Sequence, residues 1–260
     1  MWNASAFPVS ARLRGFVVAG GVAAVLAPLG PSPGLGQEPS PGGEDPPEAE
    51  ILREETVLGV VTRRAGVAGR FAHDHLVTAA GYEAELHFHR DTPTEARFEL
   101  RQEVHQLRVQ DPGERERLEE RLVELGLLGE GGFQSISDDE REDVREAMLS
   151  ADQMDAERHP ELEVELRWVR PLVEGDRAPR EPDAFRHRAT VAFTIHGETV
   201  ERPLYARYAL QGDHLTVEGY ADAHFTDFGM EPYSAFLGAV RNRDRFHFYV
   251  HLEARLAERP

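Results

Sequence analysis

From about residue 84 onward, apolar side chains recur at every second position, and this constrains the fold more than any other feature of the chain. Ala84, Leu86 and Phe88 alternate with Glu85, His87 and His89; Ala96, Phe98 and Leu100 alternate with Arg97, Glu99 and Arg101. Leu162, Val164, Leu166 and Trp168 alternate with Glu161, Glu163, Glu165 and Arg167. Val191, Phe193 and Ile195 follow, then the long runs Leu215, Val217, Gly219, Ala221, Ala223, Phe225 and Phe246, Phe248, Val250, Leu252, Ala254. Successive side chains of a strand point to opposite faces, so each run predicts a strand with one apolar and one polar face. Sheets with one wet face are antiparallel. Arg90–Pro93, His196–Glu198 and Gln211–Asp213 read as short turns, which suggests a meander. Long one-sided strands lose their exposed edges by closing on themselves, so the expectation is an all-β fold: an extended antiparallel barrel of about eight strands. A barrel of that size has room for filling side chains or for one slender ligand.

One stretch changes period. Leu118, Leu122 and Leu125 are spaced by four and three, and Gly126 with Gly129–Gly132 end that segment. Ser137-Asp138-Asp139-Glu140 reads as a capping box opening a second helix, with Val144 and Met148 on one face. Residues 111–150 are therefore expected to be a helical insertion that packs on the barrel or closes one end.

The N-terminal segment reads as an address. No acid precedes Glu38, Arg12 and Arg14 lead into the apolar run Gly15–Leu29, and Gly34 and Gly36 flank Leu35. A basic region, a short apolar region and a small-x-small site are the parts of an export signal, and the apolar run is shorter than the ~20 residues of a spanning helix. The expected organisation is a signal peptide over 1–36, a disordered Pro-, Gly- and acid-rich tether over 37–53, and a barrel domain over 54–260. A periplasmic or secreted location follows, without stable membrane insertion once the signal is removed.

Charge narrows the partners. The chain carries 47 Asp and Glu against 29 Arg, with no Lys, for a formal net charge of −18. That disfavours nucleic acid, which requires a basic face, and docking on anionic headgroups. There is no Cys, which removes disulfides, thiolate metal sites and cysteine nucleophiles. Gly-x-Ser-x-Gly, His-Glu-x-x-His, P-loop and Gly-x-Gly-x-x-Gly motifs are absent from the sequence, so it offers no enzymatic motif and no cofactor is expected. Asp227-Phe228-Gly229 matches a kinase Mg²⁺ motif by letters alone, since no Gly-rich loop or strand Lys accompanies it. It reads as a turn, with Gly229 supplying unusual backbone angles and Asp227 capping.

Four ordered stretches resemble the YceI-like family of exported β-barrel proteins. They are Arg64–His75 (RAGVAGRFAHDH, similar to a branch carrying Phe-x-His-Asp-His), Arg145–Ser150 through Asp155–Pro160, Phe193–Thr199 and Thr226–Ser234. The sequence departs from the pattern in its long 111–140 segment and in Thr226, where Ser is usual. The resemblance implies a lipocalin-like barrel that binds, without catalysis, an isoprenoid or other amphiphilic lipid in its interior. The interior contacts expected on that basis are Phe88, Phe98, Leu166, Phe193, Phe225, Phe246 and Phe248, with His73, Asp74, His75 and Asp227 as polar groups at the barrel mouth. Burying about 400 Å² of prenyl tail would contribute roughly 10 kcal/mol gross, much of it offset by lost ligand freedom. Two alternatives stand beside this reading. Imidazoles at i and i+2, His73 and His75 foremost, share a strand face and could bind Zn²⁺ or Cu²⁺, although two ligands on one strand do not complete a site. The other is a structural or stress-response barrel whose Phe side chains simply fill the core.

Overall fold

The computed structural model describes residues 48–65, 73–173, 175–235, 237 and 239–257. The expected signal peptide, most of the expected tether and residues 66–72 of the Arg64–His75 motif lie outside the described residues. No helix of the described residues is long and apolar enough to cross a membrane.

Eight antiparallel strands close a ring. In chain order they are β1 (Glu48–Ile51), β5 (Glu83–His87), β6 (Arg97–Glu103), β8 (Glu161–Pro171), β9 (His187–Ile195), β10 (Glu198–Gln211), β11 (His214–His224) and β14 (Arg245–Leu256). β14 pairs back onto β1 through Ala49 opposite Leu256 and Ile51 opposite Ala254. The upper part of β14, His247–His251, pairs instead with β2 (Val57–Thr62), which leads to β4 (His75–Thr78) and β7 (Arg108–Val109). The wall is thus continuous at the β1 end and divides at the other. A small second sheet joins β3 (Arg64–Ala65), β12 (Ser234–Ala235) and β13 (Val240–Asn242).

Period two places the apolar runs inside. Val191, Phe193 and Ile195 of β9, Ala221 and Ala223 of β11, and Phe246 and Phe248 of β14 belong to one buried interior cluster. Three corrections to the sequence reading arise here. The expected tether does not extend to residue 53, because Glu48–Ile51 form β1. Ala49 is buried between β14 and β5, so pairing on both sides orders a stretch that composition alone reads as solvated. Trp168 is not on the inner face: the register shifts between Leu166 and Trp168, turning the indole outward at 41% exposure, and Val169 takes the inward place. A bulge inserts one residue against its partner and so reverses the faces beyond it. The inner run of β11 also ends one residue early, since Phe225–Phe228 form a 3-10 turn closed by Gly229 at φ 69°.

The insertion supplies both helices. α1 (Pro112–Glu124) starts where the Asp111 carboxylate accepts from the Gly113 and Glu114 N–H groups at 3.0 and 3.1 Å. It ends at Gly126, φ 64°, where the Leu127 and Leu128 N–H groups donate back to the Leu122 carbonyl. Its Leu118 and Leu122 pack on the outer face of the barrel against Tyr220 and Tyr249. α2 (Asp138–Leu149) opens on the capping box anticipated from Ser137 and Glu140. It lies beside β7 at the end where the wall divides.

Candidate functional site

A cavity of about 330 Å³ occupies that divided end of the barrel. β2 contributes Leu58 and Val60, β6 contributes Phe98 and Leu100, and β9 contributes Phe193 and Ile195. From above, Val144, Ala147 and Met148 of α2 face the same space. Val144 and Met148 are the two residues whose shared helical face was readable from their spacing. The volume sits at the lower end of the range for small-molecule pockets, and the lining is mostly aliphatic and aromatic.

Small residues make room for the rings. Phe193 and Phe248 lie on strands separated by β10 and β11, whose inward residues nearby include Ala206 and Ala221. Their rings stack at 3.9 Å between centroids, 6° from parallel. At Gly219 a Cβ would lie 2.7 Å from the end of the Leu204 side chain, so glycine there leaves the space that this side chain occupies. Towards the continuous end, Leu86, Phe88, Leu215, Leu252 and Leu256 pack against one another.

The seven side chains expected to face a ligand therefore divide. Phe98, Phe193, Phe225, Phe246 and Phe248 line the cavity. Phe88 does not; it is 5% exposed within the packed end, edge-on to Tyr208. Leu166 packs on the interior cluster without lining the cavity. Sequence reasoning missed Leu58 and Val60, which lie in the continuous apolar run VLGVV, where no alternation marks an inner face. It also missed Met154 and Met230, which come from connecting segments.

Of the four expected mouth groups, His75 lines the cavity. Burial, reinforced by neighbouring His73 and only partly opposed by Asp74, lowers the His75 pKa to about 4, so its imidazole is neutral near pH 7. The Gln110 amide nitrogen lies 3.4 Å from its Nδ1. Asp74 has a different role. Its buried carboxylate accepts from the Arg64 N–H at 2.7 Å and faces Arg63 at 3.5 Å, while its carbonyl accepts from Gln110 at 2.9 Å. It ties chain segments together. Asp227 caps the 3-10 turn, accepting from the His224 N–H at 2.7 Å and pairing with Arg202. Burial works against its ionisation, but those two partners hold its carboxyl below the usual range. His73 meets His75 edge-on at 6.2 Å between ring centroids and does not line the cavity. Thr62 lines it; its buried hydroxyl has no hydrogen-bond partner among the described residues.

The metal reading of His73 and His75 is not favoured. Among the described residues, no trio of His, Asp or Glu ligand atoms within 4.8 Å of one another includes either. On the outer face of β14, His247 pairs with Asp222, and His251 lies 3.0 Å from Glu253.

The outer face carries the strongest electrostatics. Arg121 of α1 donates through Nε to Glu218 at 2.7 Å and through both terminal nitrogens to Glu181, each at 2.8 Å. Glu218 also accepts from Arg207 at 2.6 Å and from the Tyr249 hydroxyl at 3.0 Å. Burial opposes ionisation of Glu218, yet the two guanidinium groups outweigh it and keep its pKa below normal. Burial, with the Glu218 charge beside it, raises that of Tyr249. This cluster holds α1 to the barrel wall.

Comparison with known proteins agrees with the architecture. The YceI-like domain model matches residues 56–254. Among solved structures, Burkholderia cenocepacia BcnA is similar at a TM-score of 0.50 and 13% identity, covering 78% of this chain and 99% of that one. The Campylobacter jejuni YCEI protein gives a TM-score of 0.43 and 10% identity, covering 70% and 85%. At 13% identity the likeness to BcnA is one of fold. No curated protein matches the chain.

Proposed function

The chain belongs to the YceI-like family, and from that premise we propose that it is an exported, non-catalytic binding protein that holds an isoprenoid or other amphiphilic lipid in the barrel. The family's barrels bind hydrophobic ligands. The single observation that carries the reading here is the cavity of about 330 Å³ between the Phe-rich strands and α2. An apolar tail there would replace water against Phe98, Phe193, Phe246 and Phe248, with a gain near 25 cal/mol per Å² buried. His75 and Thr62 offer hydrogen bonds to a polar head. Among the described residues no Arg lines the cavity, and Asp143 is the one carboxylate that does. Such a lining suits an uncharged head, such as a carbonyl or hydroxyl, better than a phosphate. Export rests on the basic, apolar and small-residue order of residues 12–36.

The test is organic extraction of the purified, undelipidated chain followed by mass spectrometry, with uptake of a prenyl quinone measured in parallel. A lipid recovered in near-stoichiometric amount supports the proposal. Repeated extracts without lipid, together with no quinone uptake, would sink it. Fractionation of expressing cells tests export: protein retained in the cytoplasm with residues 1–36 intact overturns that part alone.

A further inference from the structure

Three side chains outside the lipid cavity converge from separate segments. Asp155 lies in the turn after α2, His159 just before β8, and His196 in the β9–β10 hairpin. One ligand atom from each lies within 4.8 Å of the other two. Tetrahedral Zn²⁺, with bonds near 2.0–2.2 Å, spaces its ligands by roughly 3.4 Å, so small side-chain rotations bring these donors onto one centre.

The surroundings are built for this approach. A Cβ at Gly197 would lie 2.7 Å from the His159 ring, so glycine at that position leaves the space in which His159 sits. The His159 and His196 rings consequently meet at 4.8 Å between centroids. His196 Nδ1 lies 3.2 Å from the Phe228 carbonyl. A carbonyl only accepts, so that contact puts the proton on Nδ1 and leaves the Nε2 lone pair for a metal. Carbonyl-oriented imidazoles are the usual second shell of metal-bound histidine. Asp155 is 4% exposed and supplies the carboxylate. Arg158 pairs with it, but the Arg158 side chain is 74% exposed and can turn away into solvent.

We propose that Asp155, His159 and His196 form a binding site for a single Zn²⁺-like divalent cation, with its fourth position open to water. Two nitrogens and one carboxylate oxygen suit a borderline ion rather than Ca²⁺ or Mg²⁺, which take six or more oxygens. Met154 and Ile195, each adjacent in sequence to a ligand, line the lipid cavity, so the ion would clasp together two segments of the cavity rim. The site does not depend on what the cavity holds.

Two substitutions test it while sparing the backbone. Asp155 and His196 have φ of 44° and 55°, a region that Asn tolerates well. Calorimetric titration of the full chain with ZnCl₂ should give one equivalent bound. Asp155→Asn and His196→Asn should each weaken it by about tenfold or more, and Arg158→Gln, which removes the competing cation, should tighten it. Thermal melts without metal should be alike for wild type and both Asn variants, which separates ligand loss from unfolding. Absence of one-equivalent binding by wild type, or binding that persists unchanged in both Asn variants, overturns the proposal.

Discussion

The two helices of the insertion are nearly equal in length and amphipathic strength, yet the barrel uses them differently. α1 buries Leu118 and Leu122 and sends Arg121 into a carboxylate cluster on the outer wall. α2 has no fully buried residue; its apolar face, Val144, Ala147 and Met148, borders the cavity. One helix is a clamp and the other a cover. The difference lies in what each apolar face meets. α1 meets large, fixed side chains, Tyr220 and Tyr249, whereas α2 meets a hollow. Packing density against a neighbour determines how much stability an apolar face contributes, so the clamp should hold the fold and the cover should govern access.

Substitutions in the two helices should bring out this division, and the largest effect belongs to the clamp. Leu122 is 0% exposed, and Leu122→Ala should lower unfolding free energy by about 2–5 kcal/mol in urea titrations. A loss below about 1 kcal/mol would mean that α1 is not integral to the wall.

Next in size is the pH response of the cavity end. The His75 pKa falls from 6.5 in the unfolded chain to about 4 in the folded one. Its contribution is therefore fully present above pH 6.5 and is lost as pH falls towards 4. The shift corresponds to roughly 3 kcal/mol. His75→Gln should flatten stability between pH 6.5 and 4, as followed by denaturant midpoints. An unchanged slope would show that His75 is solvated in the folded protein.

A smaller effect is expected at the clamp's charges. Arg121→Ala should cost about 2 kcal/mol, less than the loss of a sole partner, because Glu218 keeps Arg207 and Tyr249. Glu181 and Glu218, both partners of Arg121, have folded pKa values below normal. For Glu181 the Arg121 hydrogen bond leads; for Glu218, partner contacts outweigh an opposing burial. Their contribution is present above the ordinary carboxylate pKa, near pH 4, and disappears as pH falls below it. Arg121→Ala should therefore reduce acid sensitivity below pH 4.

Smallest for stability should be the cover itself. Met148→Ala is expected to change unfolding free energy by less than about 1 kcal/mol while changing the uptake rate of a prenyl quinone. Equal losses of stability from Met148→Ala and Leu122→Ala would erase the distinction between the helices.

Much of this was legible in the chain. The inner-face runs on β9, β11 and β14 follow from alternation, and the start of α2 follows from the Ser137 capping box, whereas the Asp111 cap of α1 was not read from the sequence. The cavity was only partly legible. Phe98, Phe193, Phe246 and Phe248 sit on alternating strands and line it, but Phe88 has the same pattern and fills the packed end. Nothing in the local pattern separates them, because both point inward. β2 and Met154 escaped for the opposite reason: an unbroken apolar run and a connecting segment have no period to read. Asp74 and Asp227 read as mouth groups because they are polar residues in loops; their partners Arg63, Arg64 and Arg202 are fixed only when distant segments meet.

Local stereochemistry acts within a few residues, so the amino-acid order alone determined which side chains share a face and where the helices begin. Tertiary structure decided the ring closure through β1, the bulge that turns Trp168 outward, the assignment of α1 to a wall and α2 to an opening, and which stretch of the interior stayed hollow. Each of these depends on how residues far apart in the chain fill, or fail to fill, the same volume, and a one-dimensional pattern does not record volume.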